Sequence, residues 1–139
     1  MIRSVLDANV FIAALISPSG PAGRIIDAWV KEKRVHVIAS HAIFQEVSRA
    51  AFYPQVRKYV YLSDIEIRRW IASAEVLADI VTPTAHVSAV HDDPDDNKYI
   101  EAALEGRADV LVSGDKHLLS LGKFQEIQII NPTDFLSWL

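Results

Sequence analysis

The chain has 139 residues, half of them hydrophobic and 23 % charged, which excludes a disordered segment and suits one globular domain, 1–139, with a core of its own. It has no cysteine, so a disulfide framework and a thiolate metal site are both excluded, and any metal must be held by oxygen or imidazole. The net charge of −4 excludes a simple basic coat for nucleic acid, yet it is unevenly spread: ten Lys/Arg stand against six Asp/Glu in residues 1–70, and four against twelve in 71–139.

Residues 2–6 read as a short strand that ends in Asp7-Ala8-Asn9, and the apolar run 10–16 has helical length, with Asn9 placed to cap it. Arg3 and Asp7 interrupt the early apolar run as no signal peptide allows, and no stretch is apolar over the width of a bilayer. The expected location is therefore the cytoplasm, away from membranes. Ser17-Pro18-Ser19-Gly20-Pro21 ends the first helix. A second helix is expected over 22–33, with Ile25, Ile26, Trp29 and Val30 on its apolar side, then a β-branched strand over 35–39 in which His36 alternates outward.

Ser40 is placed to cap the next helix, whose core side carries Ile43, Phe44 and Val47. Glu46 lies beside Val47 on the helical wheel, so it can point along the helix flank toward the same sheet edge. Pro54 breaks and restarts the helical pattern, and Ser63 opens a longer helix over 64–77 with Ile67, Trp70, Ile71, Ala74 and Leu77 at helical spacing. Arg49, Arg57, Lys58, Arg68 and Arg69 all fall in this helical region. Solvated faces are rich in such residues, and they are also the best candidates for phosphate contacts, Arg49, Arg68 and Arg69 above all.

Residues 79–81 read as a strand or an extended connection that Pro83 stops, and a crowded acidic run follows: Asp92, Asp93, Asp95 and Asp96 around Pro94. Tyr99, Ile100, Ala102, Ala103 and Leu104 then form the apolar stripe of a helix that runs up to Gly106. An N-cap with dipole-matching charges accounts for one or two of these aspartates and poorly for four. Residues 109–113 form a buried strand ended by Gly114-Asp115; a turn of helix, a last strand over 127–130 and a terminal helix around Phe135 and Trp138 complete the chain. The strands lie too far apart for hairpins. The expectation is an α/β fold, a three-layer α/β/α sandwich around a central, mainly parallel sheet.

In such a sheet ligands gather at the C-terminal strand ends. Asp7 and Asp115 would meet there, joined by Asp96 or Asp93 from the acidic helix start and by Glu46. Three or four carboxylates without Cys or an obvious His make a hard-oxygen site suited to Mg²⁺ or Mn²⁺, and the chemistry such a site performs best is phosphodiester hydrolysis by the two-metal route.

These residues resemble the PIN-domain ribonucleases, of the kind often encoded as the toxin of prokaryotic toxin–antitoxin pairs. The resemblance covers nearly the whole length. It is carried by strand-Asp7-Ala-Asn9, by Glu46 in Ile-Phe-Gln-Glu-Val, by the helix start Asp-Pro-Asp-Asp-Asn-Lys-Tyr-Ile-Glu-Ala-Ala, and by Leu-Val-Ser113-Gly-Asp115. By position it implies Asp7, Glu46, Asp96 and Asp115 as the catalytic and metal-binding acids, supported by hydrogen bonds from Asn9 and Ser113. The family often has Thr where Ser113 stands, and Ser keeps the hydroxyl. Under a one-residue shift Asp93 or Asn97 would take the place of Asp96. The resemblance also implies cleavage of single-stranded RNA, a homodimer and inhibition by a small antitoxin protein. Two other readings exist. A receiver-like phosphoacceptor domain would want its acidic pair early and a Lys at a late strand end, whereas here the early strand offers Asp7 alone. A catalytically inactive PIN-like module that binds protein or nucleic acid would have no need for four mutually repelling carboxylates.

Overall fold

A computed structural model describes residues 1–90 and 93–139. Asp92 of the acidic run lies outside the described residues. Chain order is β1 (Ile2–Leu6), α1 (Ala8–Ile16), α2 (Pro21–Val30), β2 (Val35–Ser40), α3 (His41–Ala50), α4 (Pro54–Arg57), α5 (Asp64–Leu77), β3 (Asp79–Val81), a 3₁₀ turn (Pro94–Asp96), α6 (Asn97–Glu105), β4 (Val110–Val112), α7 (Lys116–Leu121), β5 (Lys123–Phe124), β6 (Ile127–Ile130) and α8 (Pro132–Ser137).

The strands form one sheet in the order β3-β2-β1-β4-β6-β5, parallel except for the β5–β6 pair. This is the expected three-layer α/β/α sandwich with one correction. β5 and β6 make a short antiparallel hairpin, Lys123 opposite Gln128 and Phe124 opposite Ile127, where the strands were expected to be too far apart for any. A two-residue strand is too short to show alternation, and tertiary pairing alone brings it out.

The order has a direct consequence for function. From β1 the chain steps outward through β2 to β3, then returns across the sheet to β4 on the other side of β1. The gap between the β1 and β4 ends is therefore a topological switch point, where the connections diverge and leave a crevice. α6 makes the return and packs over β1, β2 and β4. It fits there because Gly106, its C-cap, has no Cβ: one would lie 2.5 Å from Ile38 Cγ2 on β2.

Leu6, Ile38 and Val110 to Val112 are buried, as strands covered on both faces should be. Trp29 belongs to this core, and Trp70 packs edge-on to Phe11 at 6.4 Å, so the core reading of both tryptophans holds more fully for Trp29. Helix starts follow the expected chemistry at Ser40, whose hydroxyl accepts the Ile43 N–H, and at Ser63, which forms a reciprocal capping box with Glu66. At α1 the cap is Asp7 rather than Asn9: the Asp7 carboxylate accepts the Asn9 backbone N–H at 2.6 Å. Among the described residues no helix is long and apolar enough to cross a membrane.

Candidate functional site

Asp7 follows the last residue of β1, and its backbone N–H donates to Val112 at the end of β4, so the neighbouring strand sets its position. It is buried to 2 % exposure and touches Ser113, whose hydroxyl donates to Asp7 Oδ2. The same Ser113 oxygen accepts the Asp115 backbone N–H at 2.9 Å, which ties the β1 acid to the β4 acid through one fully buried hydroxyl. Asp115 in turn caps α7 by accepting from Leu118 N–H at 3.1 Å. Asp96 sits half-buried at the start of α6 and makes no side-chain cap, so helix capping does not explain it.

These groups line one cavity of about 210 Å³ with Asn9, Glu46, Tyr53, Asp93, Asp95 and Tyr99. A larger cavity, about 410 Å³, lies between α2 and α5 against Leu15, Ile26, Tyr61 and Trp70; it is apolar, and Asp27 is the one acid in its lining. The titratable groups gather in the smaller one.

Electrostatics in the carboxylate cavity are unbalanced. Burial pushes the Asp7 carboxyl up, against hydrogen bonds from Ser113 and the Asn9 and Val10 backbone that favour the charged form. Burial first, then repulsion from Asp93 and Asp115, pushes Asp96 up to about 7. Among the described residues no ion pair engages Asp7, Asp93, Asp96 or Asp115.

Glu46 faces the same cavity from α3, but Lys98 Nζ lies 2.9 Å from its Oε1 and the Tyr99 hydroxyl donates to its Oε2. Lys98 also reaches Asp95 Oδ2 at 2.9 Å and, by that hydrogen bond above all, holds Asp95 below the usual carboxylate range. Burial works against the charge on Lys98, and the hydrogen bonds it donates to Asp95 and Glu46 overcome it and raise its affinity for its proton. Burial, then the hydrogen bond to Glu46, likewise raises the Tyr99 phenol. The acids therefore share a cavity without closing on a common point: among the described residues no three His, Asp or Glu side chains stand close enough to hold an ion as they are. Asp7 is drawn to Ser113 and Glu46 to Lys98.

The model of the PIN domain matches residues 3–117. This chain belongs to the PIN-domain family. PIN domains are generally nucleases, and they typically use divalent metal ions. An uncharacterized protein of Methanocaldococcus jannaschii, MJ1680, is 36 % identical to this PIN domain over 120 residues, covering 86 % of the chain and 75 % of the relative. Two solved structures share its fold. PAE2754 from Pyrobaculum aerophilum superposes with a TM-score of 0.63 at 18 % identity, over 99 % of this chain and 88 % of the other. VapBC-1 from nontypeable Haemophilus influenzae gives 0.61 at 14 %, over 95 % and 99 %.

An uncompensated, all-oxygen donor set fits a hard divalent cation well, which would relieve the repulsion that raises Asp96. The PIN-domain geometry also bears on the alternatives for the third acid. Asn97 is committed elsewhere: its Oδ1 accepts Val90 N–H at 2.8 Å and its Nδ2 donates to the Pro94 carbonyl at 3.0 Å, so it pins the preceding loop and stays out of the cavity lining. Asp93 and Asp96 both line the cavity, and so does Asp95. Asn9 lines it too, and it reaches Asp7 through its backbone N–H. Arg49, in the last turn of α3, is exposed and close enough to Asp95 to act on its charge. Arg68 lies on α5 with its guanidinium 4.8 Å from the Phe52 ring centroid, and both it and Arg69 stand outside the cavity lining.

Sequence reasoning passed over Lys98 and Tyr99. A signal for Lys98 existed: it is the one Lys or Arg between residues 70 and 106, and it falls at a helix start, where a cation is disfavoured. Tyr99 was absorbed into the apolar stripe of its helix, and nothing in one dimension separates its ring from its hydroxyl.

Proposed function

We propose that this PIN domain is a metal-dependent endoribonuclease that hydrolyses phosphodiester bonds in single-stranded RNA, with Mg²⁺ or Mn²⁺ held by Asp7, Asp96, Asp115 and Glu46, and with Asp93 beside them. The observation that carries this reading is the half-buried Asp96 in one cavity with Asp7, Asp93 and Asp115, four acids without an ion-pair partner among the described residues, where burial and repulsion push its carboxyl up to about 7. Carboxylates kept in that state raise the energy of the empty cavity, and a divalent ion is what reverses the sign of their interaction. When bound, the ions supply an activated water and neutralise charge on the phosphate and on the leaving oxygen.

The chain's own residues do the rest. Ser113 holds Asp7 and Asp115 at a fixed separation across the β1–β4 gap. Tyr99 and Lys98 hold Glu46 at the flank. Arg68 and Arg69 contact RNA phosphates outside the acidic centre, and Arg49 does so at its edge, beside Asp95. Asn9 lines the cavity beside Asp7 and gives it a backbone N–H. The functional unit is the single domain 1–139, acting as a homodimer in the cytoplasm, and the likeness in fold to VapBC-1 supports its being the toxin of a toxin–antitoxin pair with a small antitoxin as partner.

The test is cleavage of a mixed single-stranded RNA by purified protein with Mg²⁺, Mn²⁺ or EDTA, beside Asp115→Asn. Cleavage that needs the metal and is absent in the variant is the expected result. Folded protein that neither cleaves RNA nor binds Mn²⁺ would establish the inactive binding module instead.

A further inference from the structure

The acids of the cavity divide into two sets. Glu46 and Asp95 share one ammonium, at 2.9 Å from each. Lys98 pays for this with its hydration: its side chain is 13 % exposed, where a lysine ordinarily extends its head group into water. Tyr99 takes the other Glu46 oxygen and accepts the Ala8 N–H at 3.2 Å, which links Glu46 to the loop carrying Asp7. Both oxygens of Glu46 are thus held by α6. The second set is Asp7, Asp96 and Asp115, which share the cavity without an ion-pair partner among the described residues.

A cation in the first turn of a helix opposes the helix dipole, and a buried ammonium is stable only if anions compensate it. Lys98 is therefore held in place by Asp95, three residues before it, and by Glu46, 52 residues away in sequence. An ammonium already bridging two carboxylates lowers their attraction for any further cation.

We propose that Lys98 is a resident cation of the site: it occupies Glu46 and Asp95, directs the first divalent ion to Asp7, Asp96 and Asp115, and must release Glu46 before a second ion can use it. This rests on the metal-site reading above and adds an order of loading to it. Lys98 acts through Glu46 and is a positioning residue.

The measurement is Mn²⁺ stoichiometry and affinity on the full chain, by titration calorimetry and by electron paramagnetic resonance of free Mn²⁺. Wild-type protein should bind one ion tightly. Lys98→Met should gain a second ion within about tenfold of the first in affinity, since ligand charge sets cation affinity over that range and beyond. Its metal-free melting temperature should fall, and Lys98→Arg should restore the single ion. Glu46→Gln should leave the first ion within about threefold of wild type, whereas Asp96→Asn should weaken it by about tenfold or more. Two equally tight ions in wild type, or one ion still in folded Lys98→Met, would overturn the role of Lys98 and leave the metal site standing. If Lys98→Met does not fold, Glu46→Gln decides, because a tenfold loss of the first ion there contradicts the division into two sets. No Mn²⁺ binding by wild type would remove the metal-site reading itself.

Discussion

Asp7 and Phe11 stand one turn apart at the start of α1, in opposite surroundings. Phe11 is fully buried among aromatic rings, 5.3 Å from Phe44, 6.4 Å from Trp70 and 6.5 Å from Trp29. Every contact there lowers the energy of the fold. Asp7, as deeply buried, faces acids, and its carboxyl is pushed up by burial. One helix therefore carries a residue that stabilises the protein and a residue that strains it. The lesson is that stability and site chemistry are separable here along a single turn of helix, and substitutions should separate them.

The largest effect is expected on the stabilising side. Phe11→Ala should cost about 3–5 kcal/mol of folding free energy, because the surrounding rings cannot collapse onto the hole. Denaturant unfolding measures it, and a loss under 1 kcal/mol would mean that the aromatic cluster is not the anchor of this face. Asp7→Asn should do the reverse. Asn caps a helix as well as Asp and relieves the charge, so metal-free stability should stay level or rise. RNA cleavage should drop by about 10³-fold, since an acid that holds the reacting centre is gone. Unchanged cleavage would take Asp7 out of the site.

A smaller effect concerns pH. The Asp96 carboxyl moves from its usual 3.8 to about 7 in the folded protein. An acid raised by folding stabilises the fold while it is protonated. Its contribution is complete below pH 3.8 and is lost as pH rises toward 7. Metal-free protein should thus lose stability across that window and Asp96→Asn should lose less, the remainder coming from the raised Asp7, which melting in EDTA at several pH values would show. Mn²⁺ affinity should rise over the same range, because binding requires the charged carboxylate. The smallest effect is expected from Arg68→Ala with Arg69→Ala. If both contact phosphates, the slope of log affinity against log salt for single-stranded RNA should fall by about 1.4; an unchanged slope would confine phosphate contacts to other residues.

Sequence alone determined the order of helices and strands, the parallel sheet, the caps at Ser40 and Ser63 and the neighbourhood of Asp7, Asp96, Asp115 and Glu46. Those features follow from local periodicity and from the rule that parallel strands bring their C-terminal ends to one edge. The tertiary structure decided what depends on contacts between distant segments. It turned both ends of the Asn97 amide to the loop before α6, and it moved the α1 cap from Asn9 to Asp7. It paired β5 with β6, too short a hairpin to show in one dimension. It joined Glu46 to Lys98 and Tyr99 across more than fifty residues. An ion pair over that separation leaves no periodic trace, because it depends on how α3 and α6 are brought together, and that is fixed by the packing of both against β2.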